Sequence, residues 1–272
     1  MQKLMNSLLL IVAALFLSTA YMKDDDNHVP GSAKTFVLVH GSWQGAWIWQ
    51  KVKEDLEKKG HRVVPVELPA HGDDPTSPAN VSMEMYRDKV ASFIGELGTK
   101  VILVGHSMGG SVITATAEKI PDKIEKLVYI GAFVPANGDD LLKLQGMDQG
   151  SELGPALVPS EDLLTIGVKA DKLVYLFCQD GSKETQELLV AKYRTEPTIP
   201  FTYTFALTSA NFGKVDKYYI HTAQDRVISP DYQKKMADAA NITKRYTLNT
   251  GHSPFLSKPS LVSSTLLDII KK

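Results

Sequence analysis

The apolar run Val101-Ile102-Leu103-Val104 passes directly into Gly105-His106-Ser107-Met108-Gly109-Gly110, and then into the helix-like stretch 111–120. This strand, G-x-S-x-G, helix succession constrains the fold more than any other feature of the chain. A turn so tight forces the serine into a strained backbone conformation. Gly105 and Gly109 leave room for neighbouring backbone to come close. Ser107 then stands above the end of a strand at the N-terminus of a helix, where the dipole favours developing negative charge.

The flanking sequence says what holds such a turn. Short apolar runs alternate with amphipathic ones: strands over 35–40, 61–68, 100–105 and 124–134, and helices over 47–59, 83–96 and 111–120. Continuous apolar strands separated by helices predict a parallel sheet covered on both faces. Gly60 reads as a helix stop and Ser82 as a helix start. Pro65 lacks an N–H, which places its strand at an edge or a bulge. The alternation lapses over 135–212, where helical pieces near 139–146, 160–167 and 182–194 are separated by prolines. That stretch reads as a helical cap inserted into the domain. Strand–helix alternation resumes with 214–222, 230–240, 244–248 and 259–271.

A chain of 272 residues accommodates one such domain over 35–272 with its cap. The formal net charge of −1, with no basic stripe, argues against a nucleic-acid partner. Cys178 is the single cysteine, so no intramolecular disulfide forms. Residues 1–20 carry Lys3, an apolar run over 8–17 and then Ser18-Thr19-Ala20, the pattern of a secretory signal peptide. Residues 21–34 read as a linker. The expected location is therefore secreted or periplasmic, with no stable membrane partner after cleavage and an uncleaved anchor as the alternative.

A serine hydroxyl needs a base to become a nucleophile. In folds with this turn the partners follow in the order serine, acid, histidine, the histidine in a loop close to the C-terminus. His252, between the strand candidate 244–248 and the last helix, fits that place, whereas His221 lies within a strand run and reads as core. Asp225, just past the strand over 214–222, is the candidate acid. Asp231 competes for the role but reads as a helix-start charge. The oxyanion formed in acyl transfer needs N–H donors, expected from Met108, the residue after the nucleophile, and from Ser42 after the first core strand. Trp43 is a candidate pocket wall.

With these residues in hand, the chain resembles the α/β-hydrolases. The segments "FVLVHGSWQGAWIWQKV", "GHRVVPVELPAHG", "VILVGHSMGG" and "GHSPFLSKP" resemble more narrowly the hydroxynitrile lyase and methylesterase family of plants and its bacterial relatives. The resemblance runs from about Thr35 to the C-terminus and is weakest in the cap. It implies a Ser107–Asp225–His252 triad, an oxyanion hole at Ser42 and Met108, no cofactor, and small esters or cyanohydrins as substrates; the lack of H-E-x-x-H and of a cysteine pair leads separately to the expectation of no metal. Two departures bear on the reaction. The lyases carry threonine where this chain has Gly41, and lysine, whose charge assists the departing cyanide, where it has Ser253. Ester hydrolysis is therefore expected. The alternatives are a lyase or other reaction on the same triad, or a non-catalytic small-molecule-binding protein.

Overall fold

The computed structural model describes residues 33–272. The signal peptide expected over 1–20 and nearly all of the linker expected over 21–34 lie outside the described residues. No helix among the described residues is long and apolar enough to cross a membrane.

Six parallel strands form the central sheet: β1 (Thr35–Val39), β2 (Arg62–Val66), β3 (Val101–His106), β4 (Ile124–Ile130), β8 (Asp216–Thr222) and β9 (Lys244–Leu248), in the spatial order β2-β1-β3-β4-β8-β9. β1, β3 and β4 lie between other strands and are apolar on both faces. Along β1, Phe36 and Leu38 join one core cluster, while Val37 and Val39 join the other. The period of two thus feeds two cores from one strand. Pro65 sits on β2, the edge strand, paired with Leu38 of β1.

Helices α2 (Met83–Glu96) and α3 (Gly109–Lys119) bury their apolar residues in the Val37 core. Helices α1 (Gln50–Glu57) and α9 (Pro259–Ile270) bury theirs in the Phe36 core, which also holds Trp49 and Phe255, their rings 4.6 Å apart. Helix α7 (Pro230–Ala239) connects β8 to β9, and the short α8 (Pro254–Ser257) precedes α9. Gly60, at φ +83, follows α1, and the Ser82 hydroxyl accepts from the Met85 N–H at the start of α2, as the sequence leads one to expect. β4 is shorter than its apolar run, because Gly131, at φ +47, turns the chain away from the sheet.

The cap differs from the expected set of helices. Two pieces are helical: α4 (Leu141–Met147), capped by Asp140, and α6 (Lys183–Ala191), capped by Ser182, with the short α5 (Leu173–Phe177) before the latter. The piece expected to be helical near 160–167 is instead the turn and second strand of a β-hairpin. Strands β5 (Leu157–Pro159), β6 (Thr165–Val168) and β7 (Glu196–Pro197) form a small antiparallel sheet. The cause is local. The Ser160 hydroxyl accepts from the Thr165 N–H at 3.0 Å and donates to the Thr165 carbonyl at 2.9 Å, while Leu163 adopts φ +57. Side chains that bond their own backbone favour turns over helix.

Candidate active site

Ser107 ends the connection from β3 into α3 at φ +52, in the left-handed region that L-residues avoid. Its surroundings leave no other path. A Cβ on Gly105 would stand 2.6 Å from the Gly109 carbonyl oxygen, one on Gly109 would stand 2.5 Å from the His40 carbonyl oxygen, and one on Gly110 would run into the Phe133 carbonyl oxygen. The three glycines let the turn, β1 and the segment after β4 converge. The Ser107 carbonyl accepts from Gly110 N–H at 3.0 Å and Phe133 N–H at 3.1 Å, so the carbonyl of the strained residue is paired.

Asp225 and His252 come from the loops after β8 and β9. These strands are neighbours in register, Thr222 opposite Leu248, and the two loops leave the sheet side by side. Gln224 N–H donates to the Thr250 carbonyl at 2.9 Å and links them. His252 Nδ1 lies 2.8 Å from Asp225 Oδ2, both groups buried. Asp225 is itself held on every side. Its Oδ1 accepts from the Val227 and Ile228 N–H groups at 2.8 and 3.0 Å, and its Oδ2 accepts from the Thr222 hydroxyl at 2.7 Å and the Gln233 amide at 3.1 Å. A carboxylate surrounded by donors is fixed as an acceptor, so His252 Nδ1 is the donor and Nε2 keeps its lone pair. Asp231, the competitor, is exposed at the start of α7 and pairs with Lys234 at 3.1 Å, far from this arrangement in role.

His106 has a part that its sequence position did not suggest. Its Nε2 donates to the His252 carbonyl at 2.9 Å, its ring lies 4.5 Å from that of His252, and Phe255 meets it edge-on. Burial, reinforced by the neighbouring His252, holds its pKa well below the usual imidazole value. A neutral ring thus braces the histidine loop without adding charge. His221 is buried in β8 against Tyr219, and burial lowers its pKa to about 4, in keeping with the core reading.

Ser42 and Met108 flank Ser107 and are both buried. Neither backbone N–H donates to a protein acceptor among the described residues. Trp43 lines the space above Ser107 together with Phe133 and Val227 from the core and Leu141, Gln145, Leu153 and Phe201 from the cap. That space is tight, with about 20 Å³ of room for water-sized molecules, enough for a single water. A larger concavity of about 340 Å³ lies between α4, the 207–213 segment and α7, and none of Ser107, Asp225 and His252 lines it. Chemistry, not size, locates the site.

Most of the chain, residues 36–265, matches the model of the alpha/beta hydrolase family. The chain belongs to the alpha/beta hydrolase family. Within it, the chain is 34% identical over 258 residues to methylesterase 8 of Arabidopsis thaliana, covering 87% of this chain and 89% of the relative. It is 32% identical over 247 residues to the alpha-hydroxynitrile lyase of the same plant, covering 85% and 95%. Some chloroplastic relatives are longer, and the chain spans 64% of one and 58% of another. Among solved structures it is similar to polyneuridine aldehyde esterase, with a TM-score of 0.76, 26% identity, and coverage of 87% of this chain and 99% of that one. This member of the family carries its strained serine, its held histidine–carboxylate pair and its free N–H groups at the C-terminal ends of the strands, where open α/β sheets bind ligands.

Proposed function

We propose that the protein is a serine carboxylesterase that hydrolyses small carboxylic esters, with Ser107 as nucleophile, His252 as base and Asp225 as the carboxylate that orients it. The observation that carries this reading is the conjunction at one end of the sheet: a serine at φ +52, next in the chain to His106, whose ring lies 4.5 Å from that of His252, and a His252 Nδ1 held 2.8 Å from a fully bonded carboxylate. The methylesterase and esterase relatives support it.

The reaction follows from the donors and acceptors. Ser107 Oγ attacks the ester carbonyl carbon as its proton passes to His252 Nε2. Asp225 accepts from His252 Nδ1 throughout and stabilises the imidazolium. The carbonyl oxygen becomes an oxyanion and receives the Ser42 and Met108 N–H groups. The C–O bond to the alcohol breaks, and the alkoxide leaves with the proton from His252. Water, giving its proton to His252, attacks the acyl-enzyme. Collapse of the second tetrahedral intermediate returns the proton to Ser107 and releases the acid.

The narrow space above Ser107, walled by Leu141, Leu153 and Phe201 of the cap, supports small acyl groups. The Gln145 carboxamide is a polar handle in an otherwise apolar set of cap residues. The alpha-hydroxynitrile lyase relative favours the lyase reading. Ser253 is fully buried and accepts from the Gln44 amide at 3.1 Å, so the position that would carry a cation is neutral and occupied. We further propose export of the protein through its N-terminal segment, which sequencing of the mature N-terminus from the native host tests. An N-terminus at Met1 overturns cleavage.

The deciding experiment is hydrolysis of p-nitrophenyl acetate, butyrate and octanoate by wild type and by Ser107→Ala. Wild type turns over the acetate fastest, and loss of a triad nucleophile lowers kcat on the order of 10⁶-fold. A folded Ser107→Ala protein within about tenfold of wild type overturns the assignment.

A further inference from the structure

We propose that Glu196, a cap residue, is a positioning residue for the oxyanion loop, acting through the Trp43 N–H. This inference rests on the esterase reading above and adds to it a component that the core domain does not supply.

The loop after β1 is held by the cap at three points, all on Trp43. Its backbone N–H donates to Glu196 Oε2 at 2.9 Å, its carbonyl accepts from the Arg194 N–H at 3.2 Å, and its indole Nε1 donates to the Ile166 carbonyl at 2.9 Å. Trp43 stands at φ +61, a conformation that a tryptophan does not keep without external restraint. The residue before it is Ser42, whose amide is the expected oxyanion donor. The peptide linking Ser42 to Trp43 is planar, so fixing the Trp43 N–H fixes the Ser42 carbonyl and restricts the rotation that aims the Ser42 N–H.

Glu196 is fully buried and is held in turn. Its Oε2 lies 2.8 Å from His71 Nε2, and His71, also fully buried, has its Nδ1 3.0 Å from the Pro69 carbonyl. Both ring nitrogens face oxygen acceptors, so the ring donates from both and is cationic. Burial opposes that charge, but the Glu196 carboxylate outweighs it and raises the His71 pKa. Arg194, two residues before Glu196, donates to the Gly72 and Asp74 carbonyls at 3.0 and 2.8 Å. The segment 194–196 therefore clamps the loop after β1 and the loop after β2 to each other. Among the described residues Glu196 Oε1 has no hydrogen-bond partner, and the buried carboxylate's hydrogen bonds run through Oε2, to Trp43 and His71.

The test compares Glu196→Ala, Glu196→Gln and wild type for kcat and KM on p-nitrophenyl acetate, for inhibition by trifluoroacetone, which forms a hemiketal oxyanion with the nucleophile, and for melting temperature. Loss of a well-aimed oxyanion donor lowers kcat by roughly 10²–10³-fold. Glu196→Ala is expected to fall toward that range with KM changed by less than about threefold, and trifluoroacetone is expected to bind more weakly in parallel with kcat/KM. Glu196→Gln keeps an oxygen of the same reach for the Trp43 N–H and regains at least about tenfold of the lost kcat. A folded Glu196→Ala protein with wild-type kcat overturns the proposal, as does a Glu196→Gln protein no better than Glu196→Ala. If Glu196→Ala does not fold, Glu196→Asp, which withdraws the carboxylate by one methylene, decides on the same readouts: lowered kcat supports the proposal, and wild-type kcat overturns it. Wild-type protein that neither turns over the ester nor reacts with a phosphonate at Ser107 fails the esterase reading itself. An active wild type with an equally active Glu196→Ala fails only the clamp.

Discussion

Replacing Gly41 by alanine tests how closely the site is packed. The φ of Gly41 lies outside the left-handed region, so the change carries no conformational penalty of that kind and acts by contact alone. The added Cβ would stand 2.6 Å from Ser107 Cβ, 2.9 Å from His106 Nδ1 and 3.1 Å from the His106 carbonyl oxygen. Carbon atoms rest about 3.5–4.0 Å apart, so roughly 1 Å of separation must be made. None of these atoms is the far end of a flexible chain. Ser107 Cβ is fixed to the strained turn, and His106 is tied to the His252 carbonyl. Either the turn or the oxyanion loop must move. A displacement of about 1 Å costs up to about 10²-fold in rate. Overpacking of this kind destabilises by about 1–3 kcal/mol, and each kcal/mol lowers Tm by about 2–4 °C in a large domain. Gly41→Ala is therefore expected to lower kcat on p-nitrophenyl acetate by about 10–100-fold and to melt several degrees below wild type. Wild-type kcat together with wild-type Tm would refute the steric argument. The same contact explains why the threonine of the resembling lyases does not fit this backbone without rearrangement.

Other outcomes follow from the same geometry. Asp225→Asn places an NH₂ among the donors of Thr222, Gln233 and His252 and is expected to lower kcat by about 10⁴-fold, whereas Asp231→Asn at an exposed site leaves it near wild type; steady-state kinetics in which the two effects are exchanged would reassign the acid. Wild type is expected to release no cyanide from mandelonitrile above background, because Ser253 supplies no cation, and clear release would reverse the choice between hydrolysis and lyase chemistry. Burial lowers the pKa of His40, His106 and His221, the last to about 4, so the stability these neutral rings contribute is present above their unfolded value and lost as pH falls from about 6.5 toward the folded values. His71 has the opposite sign, its pKa being raised, so its contribution is present below about 6.5 and lost as pH rises through its folded value. Melting curves should therefore fall in acid, less steeply in His221→Gln, and an identical slope in that variant would show that His221 does not contribute.

What the sequence by itself determined rests on local rules. The parallel sheet follows from apolar strands alternating with amphipathic helices, and the strained serine from its glycine neighbours. Asp225 and His252 were legible because each stands in the loop after one of the last two strands, and parallel pairing of neighbours brings such loops together. Pro65 announced its edge because a missing N–H is a property of the residue alone. In the cap, periodicity misled at 160–167, where the Ser160 hydroxyl closes a hairpin that outweighs helical spacing.

Only the tertiary structure decided the partners that meet across long stretches of chain. Glu196 lies 153 residues from Trp43 and 125 from His71, and His106 lies 146 from the carbonyl it braces. A carboxylate in a proline-flanked cap strand looks like a surface residue in sequence. It becomes a buried ion-pair partner only because the cap closes over the loops after β1 and β2. The narrow space above Ser107 has the same origin, since Leu141, Leu153 and Phe201 come from separate cap segments that no single periodicity links. Turns and strands are specified by neighbours in the chain. Buried polar contacts are specified by which surfaces exclude water from one another, and that is settled only when the whole domain packs.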